Sequence, residues 1–180
     1  MIKTFVGGGR APFTTVWKTD NAGTSTSTQI KWPTIATGTY NCTVYWGDGN
    51  NSVITTFNDA AWTHTYSGAG TYTVRIVGTF DGISFNNGGD RLKLLQVLNW
   101  GGARLGAAGA TNSGSQFFGC ANLTIPALDT PDLRTTTLFQ NCLRACTSLT
   151  NVPALAKWNM KAATNLTQFF LGCTSFNTNI

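Results

Sequence analysis

The sequence predicts a mainly β protein, with an N-terminal β-sandwich followed by a short solenoid. The 180 residues contain 30 Thr, 16 Asn and 20 Gly but no Glu, a composition that favours strands and turns over helices. Aromatic-rich segments with period-two alternation recur about every ten residues up to Phe80. Beyond Phe80, segments centred on Cys120, Cys146 and Cys173 repeat at an interval typical of solenoid proteins.

The predicted sandwich spans residues 12–82. Residues 1–11 are expected to form an arm, because three consecutive glycines and Pro12 interrupt any regular element. Apolar alternation between turn-forming segments then predicts strands within the ranges 13–17, 29–32, 40–46, 52–57 and 63–80.

A motif of turn and aromatic residues organises this half. It comprises Trp46, Gly47, Asp48, Gly49, His64, Tyr66, Gly70 and Tyr72. Glycine and aspartate suit tight turns, so the chain can reverse at both glycine-containing segments. The motif resembles that of PKD domains, which are immunoglobulin-like sandwiches. The resemblance covers about residues 12–82, and it implies mainly structural roles for these residues in a domain that acts as a spacer or contacts proteins and carbohydrates.

Internal repetition dominates the second half of the chain. The cysteines of three copies lie 26 and 27 residues apart, and a leucine or phenylalanine follows each cysteine by three residues. The predicted repeat positions are Cys120, Cys146, Cys173, Leu123, Leu149 and Phe176. Because stacked coils place equivalent residues about 4.8 Å apart, we expect these cysteines to form a buried ladder of inert thiols.

The repeats resemble the BspA-like leucine-rich repeats of bacterial surface proteins and virus-encoded adhesins. The resemblance covers about residues 90–180, with repeats over 117–180 and a linker or divergent first repeat over 83–116. The last copy stops in mid-repeat, with the apolar Phe176 and Ile180 at its edge. We expect another subunit or further coils of a longer protein to cover that edge, and the second alternative is favoured.

The sequence offers few groups for catalysis. His64 is the only histidine, and no Gly-x-Ser-x-Gly elbow or orienting carboxylate completes a triad around it. Asp129 and Asp132 flank Pro131 in a repeat loop, where turn roles explain them better than acid–base chemistry does. The chain is therefore not expected to be an enzyme.

No cofactor is predicted. The segment from Asp48 to Asp59 imitates a calcium loop, yet Val53 stands where that loop needs glycine and Asp59 where it needs a bidentate glutamate. Turn chemistry is therefore favoured over calcium binding. Cys142 and Cys146 have the spacing of half a zinc site, but no second pair or histidine lies nearby in the sequence.

The net charge of +5 reflects scarce acids rather than basic clusters. Arg91 and Lys93 come nearest to a basic patch, so nucleic-acid binding is not expected. No stretch approaches membrane-spanning length, and the N-terminus lacks the apolar region of a signal peptide. Membrane insertion and ordinary export are therefore not expected.

These observations favour a non-enzymatic structural or binding protein. Surface-type modules without a signal peptide lead us to expect a virion component of a bacterial virus, such as a fibre, decoration or tail protein. Its expected partners are other virion proteins, further copies of itself, and a protein or glycan of the host surface. The alternatives are a bacterial cell-surface adhesin and an accessory carbohydrate-binding module of a larger enzyme.

Overall fold

The structure is a computed structural model that describes residues 11–106 and 114–177. The predicted arm, apart from Ala11, and the predicted edge at Ile180 lie outside the described residues. The described strands are β1 (Phe13–Lys18), β2 (Gln29–Lys31), β3 (Thr39–Tyr45), β4 (Asn51–Ile54), β5 (Thr63–Thr65), β6 (Thr71–Asp81) and β7 (Leu94–Asn99). The same residues contain two short 3₁₀ helices, Ala60–Trp62 and Leu155–Lys157, and no helix long and apolar enough to span a membrane. The protein is mainly β, as predicted.

The strands form two antiparallel sheets. Five of them are ordered β4-β3-β6-β1-β7, and β2 pairs with β5 in the second sheet. Along β1 the side chains of Phe13, Thr15 and Trp17 are buried, whereas the residues between them are partly exposed. This alternation follows from the two-residue period of a strand. One face of the larger sheet therefore turns toward the core.

Aromatic rings fill the space between the two sheets. Trp17 of β1 and Phe80 of β6 contact Trp32, which follows β2, with ring centroids 5.0 and 5.3 Å apart. Tyr40 of β3 contacts Trp62, which precedes β5, at 5.2 Å. All five side chains are buried, and edge-on ring contacts stabilise a core beyond what burial alone provides. This arrangement is consistent with the predicted β-sandwich.

Strand β4 is shorter than predicted. It ends at Ile54 instead of continuing to Phe57, because the following residues turn into the 3₁₀ helix Ala60–Trp62. Asp59 caps that helix by accepting a hydrogen bond from the N–H of Ala61 at 2.9 Å. A carboxylate at this position satisfies a helix-terminal N–H that would otherwise lack a partner.

Strand β7 joins the two sheets to the rest of the chain. It lies within residues 83–116, the range predicted to be a linker or a divergent repeat. One of its edges pairs antiparallel with β1. At its other edge, the N–H of Thr124 donates to the carbonyl of Leu95 at 2.8 Å, and the carbonyl of Thr124 accepts from Val97 at 3.1 Å. The five-stranded sheet and the segments that follow it therefore share one strand.

Residues 83–177 form what we call the coil half, in which successive coils stack through backbone hydrogen bonds. Its described coils are residues 83–106 (first), 114–134 (second), 138–158 (third) and 163–177 (fourth). The N–H groups of Ser115, Phe117 and Gly119 donate to the carbonyls of Gln140, Cys142 and Arg144 at 2.8–2.9 Å. Similar bonds link the third and fourth coils. The rings of Trp100 and Trp158 meet at 5.4 Å, and Trp100 also stacks on Phe13 of β1, so the core continues from the sheets into the coils.

Positive φ angles recur in every coil after the first at two positions four residues apart. These positions are Ser115 and Gly119, Asn141 and Ala145, and Gln168 and Gly172, with φ between 57° and 82°. A residue in this region cannot continue a strand. Apart from β7, the described residues of the coil half consequently pair through isolated bridges such as Leu138 with Asn165.

Of Arg91 and Lys93, the two residues that come nearest to a basic patch in the sequence, Lys93 has a fully buried side chain. Its ammonium group donates hydrogen bonds of 2.7–3.0 Å to the carbonyls of Ser25, Thr26 and Gln29. Burial lowers the pKa of Lys93, and the charge of Asp90 opposes that shift. The chain around Lys93 thus fastens the loop before β2 to the segment that leads into β7.

Asp90 holds the same loop from the other side. Its buried carboxylate accepts hydrogen bonds from the N–H groups of Thr24, Ser25 and Lys31 at 2.7–2.9 Å. The hydroxyl of Ser25 also donates to Asp90 and accepts from Lys93 at 2.8 Å. Buried charges are tolerated only when they are hydrogen-bonded in this way. Asp90, Ser25 and Lys93 therefore form one closed polar cluster.

We expect Lys93→Met to lower the free energy of unfolding by about 3 kcal/mol, since it leaves the loop carbonyls and Asp90 without their cation. Urea denaturation measures the loss. The exposed Lys31 provides a matched control, and Lys31→Met should change the free energy of unfolding by less than about 0.5 kcal/mol. Equal effects of the two substitutions would contradict the structural role of Lys93.

Candidate functional site

The predicted motif brings Asp48 and His64 into contact. His64 Nε2 lies 2.8 Å from Asp48 Oδ2, and each side chain is 14% exposed. Because a carboxylate only accepts, the imidazole N–H is the donor. Asn50 donates to the same carboxylate from its N–H and from its side-chain amide, both at 3.0 Å. Burial would raise the pKa of Asp48, but the hydrogen bonds from His64 and Asn50 outweigh it and lower the pKa to about 2.

The aromatic members of the motif form a continuous stack around this pair. The His64 ring stacks on Trp46 with centroids 4.6 Å apart and meets Tyr66 edge-on at the same distance. Tyr66 in turn stacks on Tyr72 at 3.7 Å. The hydroxyl of Tyr66 donates to the carbonyl of Trp46 at 3.0 Å. The motif thus ties the turn after β3 to β5 and β6.

The three motif glycines lie in the turns at either end of this stack. Gly47 and Gly49 have φ angles of 89° and 95°, a region that residues with a Cβ rarely adopt. A Cβ at Gly47 would also meet the backbone of Thr73. Gly70 accepts a hydrogen bond from the N–H of Thr19 at 2.9 Å. These contacts fix how closely the turns approach neighbouring strands.

The motif has the geometry of a turn anchor. The groups in contact with Asp48 and His64 belong to Asn50, Trp46 and Tyr66, none of which is a nucleophile activated by the imidazole. The residues of the imitated calcium loop also do not converge, because Asp59 caps a 3₁₀ helix while Asp48 holds Asn50 and His64. Within residues 11–106 and 114–177, no group of three or more metal-binding side chains occurs.

We expect Asp48→Ala to destabilise the protein by about 1 kcal/mol near neutral pH, the usual net value of such hydrogen bonds. The folded-state pKa of Asp48 lies below the value of about 3.9 in unfolded chains. The stabilisation is therefore complete above about pH 4 and is lost as the pH falls through about 2. The difference between wild type and variant in urea denaturation should shrink over that interval.

The exposed Asp20, which pairs with Lys18 at 3.0 Å, supplies the control for this experiment. Asp20→Ala should leave the denaturation midpoint nearly unchanged at every pH, because solvent screens exposed ion pairs. A pH-independent loss in Asp48→Ala would show that the lost contribution does not come from the carboxylate.

The repeat cysteines occupy equivalent positions in successive coils. The Sγ of Cys146 donates to the carbonyl of Phe117 at 3.2 Å, and the Sγ of Cys173 donates to the carbonyl of Leu143 at 2.9 Å. The same two carbonyls accept the N–H groups of Cys120 and Cys146. Each thiol therefore bonds to the turn of the preceding coil. A small apolar side chain with a weak donor suits this buried position.

The apolar repeat positions pack beside these thiols. Leu123 and Leu149 are fully buried, whereas Phe176 in the fourth coil is half-buried. All five cysteines of the chain are free thiols, and Cys173 is the one whose side chain is partly exposed. Burial raises the pKa of Cys120, Cys142, Cys146 and Cys173, and it raises the pKa of Cys42 to about 11.

We expect the thiol of Cys173 to react with a thiol-specific chromogenic reagent before the other four, because it alone is partly exposed, although its raised pKa slows that reaction near pH 8. The remaining thiols should react only after unfolding. In Cys173→Ser the rapid phase should disappear, whereas in Cys120→Ser it should persist. A rapid phase of more than one equivalent in the wild type would contradict the buried ladder.

The carboxylates of Asp81 and Asp132 share one arginine, Arg104. Arg104 donates to Asp81 at 3.0 Å and to Asp132 at 3.2 Å, and Arg134 also donates to Asp132 at 2.8 Å. Burial raises the pKa of Asp81, whereas hydrogen bonds from Arg134 and Arg104 hold the pKa of Asp132 well below its usual range. Pairs of carboxyl groups whose pKa values differ in this way occur in acid–base sites. Here, however, the guanidinium of Arg104 bridges the two carboxylates. A bracing role fits this network better.

Asp129 has a similar bracing role between coils. Its carboxylate accepts hydrogen bonds from the N–H groups of Trp100 and Gly101 at 2.8–3.0 Å and from the side chain of Asn99 at 3.1 Å. These donors lie in the first coil, whereas Asp129 lies in the second. The turn interpretation of Asp129 and Asp132 therefore extends to contacts across the stack.

A cleft between the sheets and the coils is the best candidate for a binding site, and we call it the junction cleft. It has a volume of about 560 Å³ and is lined by Ile35, Ala36, Thr37, Ser84, Asn86, Gly114, Ser115 and Gln140. None of these side chains is ionisable. The cleft is more polar than most small-molecule sites, and it offers hydrogen-bonding groups together with the apolar side chains of Ile35 and Ala36.

Gln140 contributes an unpaired side-chain oxygen to the wall of the junction cleft. Its side-chain oxygen is buried and has no hydrogen-bond partner among the described residues. A Cβ placed on Gly114 would collide with the amide group of Gln140, so that amide lies against the cleft wall. Ser84 donates to the carbonyl of Gly114 at 3.0 Å, which fixes the same wall. Buried acceptors normally have a partner, and a ligand hydroxyl would supply one only after the Gln140 amide turns toward the cleft.

The sequence contains no motif that indicates the junction cleft. Its residues come from the loop after β2, from the first coil, and from the second and third coils, so folding alone brings them together. Comparison with known proteins adds no relative, since no family model, curated protein or solved structure matches the chain.

Proposed function

We propose that the chain is a non-enzymatic binding and display protein whose junction cleft accepts a neutral, hydroxyl-rich ligand such as a glycan. The observation that carries this proposal is the side-chain oxygen of Gln140, which lacks a hydrogen-bond partner among the described residues and belongs to a cleft whose described lining has no ionisable group. A carboxylate or phosphate ligand would need cationic partners, which this lining lacks. Once the Gln140 amide turns toward the cleft, a saccharide hydroxyl can donate to it while the carbon skeleton of the saccharide contacts Ile35 and Ala36.

We infer further that residues 12–82 are a PKD-like domain and that the coil half consists of BspA-like leucine-rich repeats. The stacked Trp46, His64 and Tyr66 support the first inference, because they give the motif residues a shared structural task. The second inference is supported by cysteines that bond to equivalent carbonyls in successive coils. In such proteins the coils provide the recognition surface and the sandwich positions it.

The proposed setting is the virion of a bacterial virus, where the chain would be a fibre, decoration or tail component that contacts the host surface. The support is the combination of surface-type modules with a shared strand, β7, that makes sheets and coils one hydrogen-bonded body. Mass spectrometry of purified particles tests this setting. Absence of the chain from intact virions would exclude it and leave the bacterial cell-surface adhesin as the alternative.

Glycan-array binding tests the proposed ligand class. We expect the wild type to bind neutral glycans and Gln140→Ala to bind them about tenfold more weakly, the effect of one lost hydrogen bond. Asn151→Ala is the control, because Asn151 is an exposed amide elsewhere on the third coil. Binding that Gln140→Ala leaves unchanged, or a preference for anionic glycans, would contradict the proposed site.

A further inference from the structure

Within residues 11–106 and 114–177, the five-stranded sheet has one free edge. Its strands are ordered β4-β3-β6-β1-β7, so β4 and β7 lie at its two sides. The outer edge of β7 bonds to Thr124 of the second coil. At the outer edge of β4, no hydrogen bond joins Asn51 or Val53 to another described residue outside the sheet. We call residues 51–55, which comprise β4 and the following Thr55, the β4 edge.

Alternation along β4 decides which of its backbone groups face outward. In an antiparallel pair, every second residue bonds to the neighbouring strand and the residues between them point away from it. The N–H of Trp46 donates to the carbonyl of Asn50 at 3.1 Å. In that phase Ser52 and Ile54 bond to β3, with which β4 pairs in an unbroken register. The N–H and carbonyl groups that point outward therefore belong to Asn51 and Val53.

The side chains of the β4 edge suit pairing with another strand. Val53 is apolar and β-branched, and its side chain on the outer face of the sheet is 69% exposed. Residues 49–58 contain neither an ionisable group nor a proline. Soluble proteins usually protect a free edge with charged side chains, with proline or with a β-bulge. The β4 edge carries none of these protections.

The described chain leaves the β4 edge uncovered. After Ile54 it turns toward the second sheet, where the hydroxyl of Thr34 donates to the carbonyl of Phe57 at 2.7 Å. The described residues that border the undescribed ranges lie against other parts of the fold, namely Gly101, Thr136, Gln140 and Thr150.

A second copy of this chain matches the β4 edge. Two identical antiparallel strands are related by a two-fold axis, so that each contact between them is made twice. An axis at Val53 places Asn51 of each copy opposite Thr55 of the other. No like charges meet in this register, because the segment has no ionisable group.

The single free edge also decides the form of the assembly. A head-to-tail contact would need a second free edge on the same sheet, and the second coil already occupies the outer edge of β7. Pairing of one β4 edge with another uses the same surface on both copies and closes after two chains. The β4 edge also carries no charge that would select a different protein as its partner.

We propose that two copies of this chain pair through their β4 edges, which joins the two five-stranded sheets into one antiparallel sheet. Val53 exchanges N–H to carbonyl hydrogen bonds with Val53 of the second copy, and the two exposed valine side chains pack together on the outer face. The described lining of the junction cleft contains no residue of β4. The pairing therefore goes beyond the proposed glycan site and does not depend on it.

Amide hydrogen exchange of the full chain, measured by nuclear magnetic resonance at rising protein concentration, tests the proposal. In the monomer the amides of Asn51 and Val53 should exchange rapidly. Those of Ser52 and Ile54, which bond to β3, should be protected at every concentration and serve as internal controls. As sedimentation equilibrium detects dimer, exchange at Asn51 and Val53 should slow at least about tenfold. Because the contact is small, the concentrations should extend into the millimolar range.

A matched pair of variants locates the contact. Val53→Lys brings two ammonium groups together across the two-fold axis and should raise the dissociation constant of the dimer at least about tenfold. Thr73→Lys adds the same charge to an exposed position of β6, inside the same sheet, and should leave the dissociation constant unchanged.

Three results would overturn the proposal. They are a protein that stays monomeric at every concentration, Asn51 and Val53 amides that are already protected in the monomer, and a dimer whose formation leaves these two amides unprotected. The exchange measurement uses the wild type, so it remains decisive if a variant fails to fold.

Discussion

The two-sided pairing of β7 is the constraint on which the rest of the structure depends. One edge of this strand belongs to the five-stranded sheet through β1, and the other bonds to Thr124 of the second coil. The first coil can therefore neither slide nor rotate against the sheet without breaking main-chain bonds. The buried Lys93 and Asp90 strengthen this junction, because they tie the segment before β7 to the loop before β2. Rings on both sides, such as Phe13 and Trp100, then pack into a single core.

Backbone conformation explains why the coils stack without forming strands. In each coil after the first, two residues adopt positive φ, and the peptide units between them point alternately along the stack and within the coil. Glycine adopts this conformation readily, as at Gly119 and Gly172, whereas Ala145 occupies the equivalent position against its preference. The hydrogen bonds that the third coil makes to both neighbours hold Ala145 in place. Stacking thus supports a conformation that the local sequence alone would not select.

Short-range patterns explain which features could be predicted. The alternation in β1 and β6, the turn glycines and the cysteine repeat all rest on neighbouring residues, and they suffice for a mainly β chain with antiparallel sheets. The burial of Lys93 could not be predicted, because its acceptors lie more than 60 residues earlier in the chain. The junction cleft is hidden for the same reason. Gln140 is an ordinary repeat residue until folding places its amide against Gly114.

The two ends of the described stack differ in what pairs with them. At its start, β7 pairs with β1, so the sheets cover the first coil. At the fourth coil, N–H groups beside the exposed Leu166 and Leu171 have no hydrogen-bond partner within residues 11–106 and 114–177. Backbone N–H groups need acceptors, which carbonyl groups or water can supply. The junction therefore holds the sheets and the coils together, whereas the hydrogen-bond pattern of the stack ends, within the described residues, at the fourth coil.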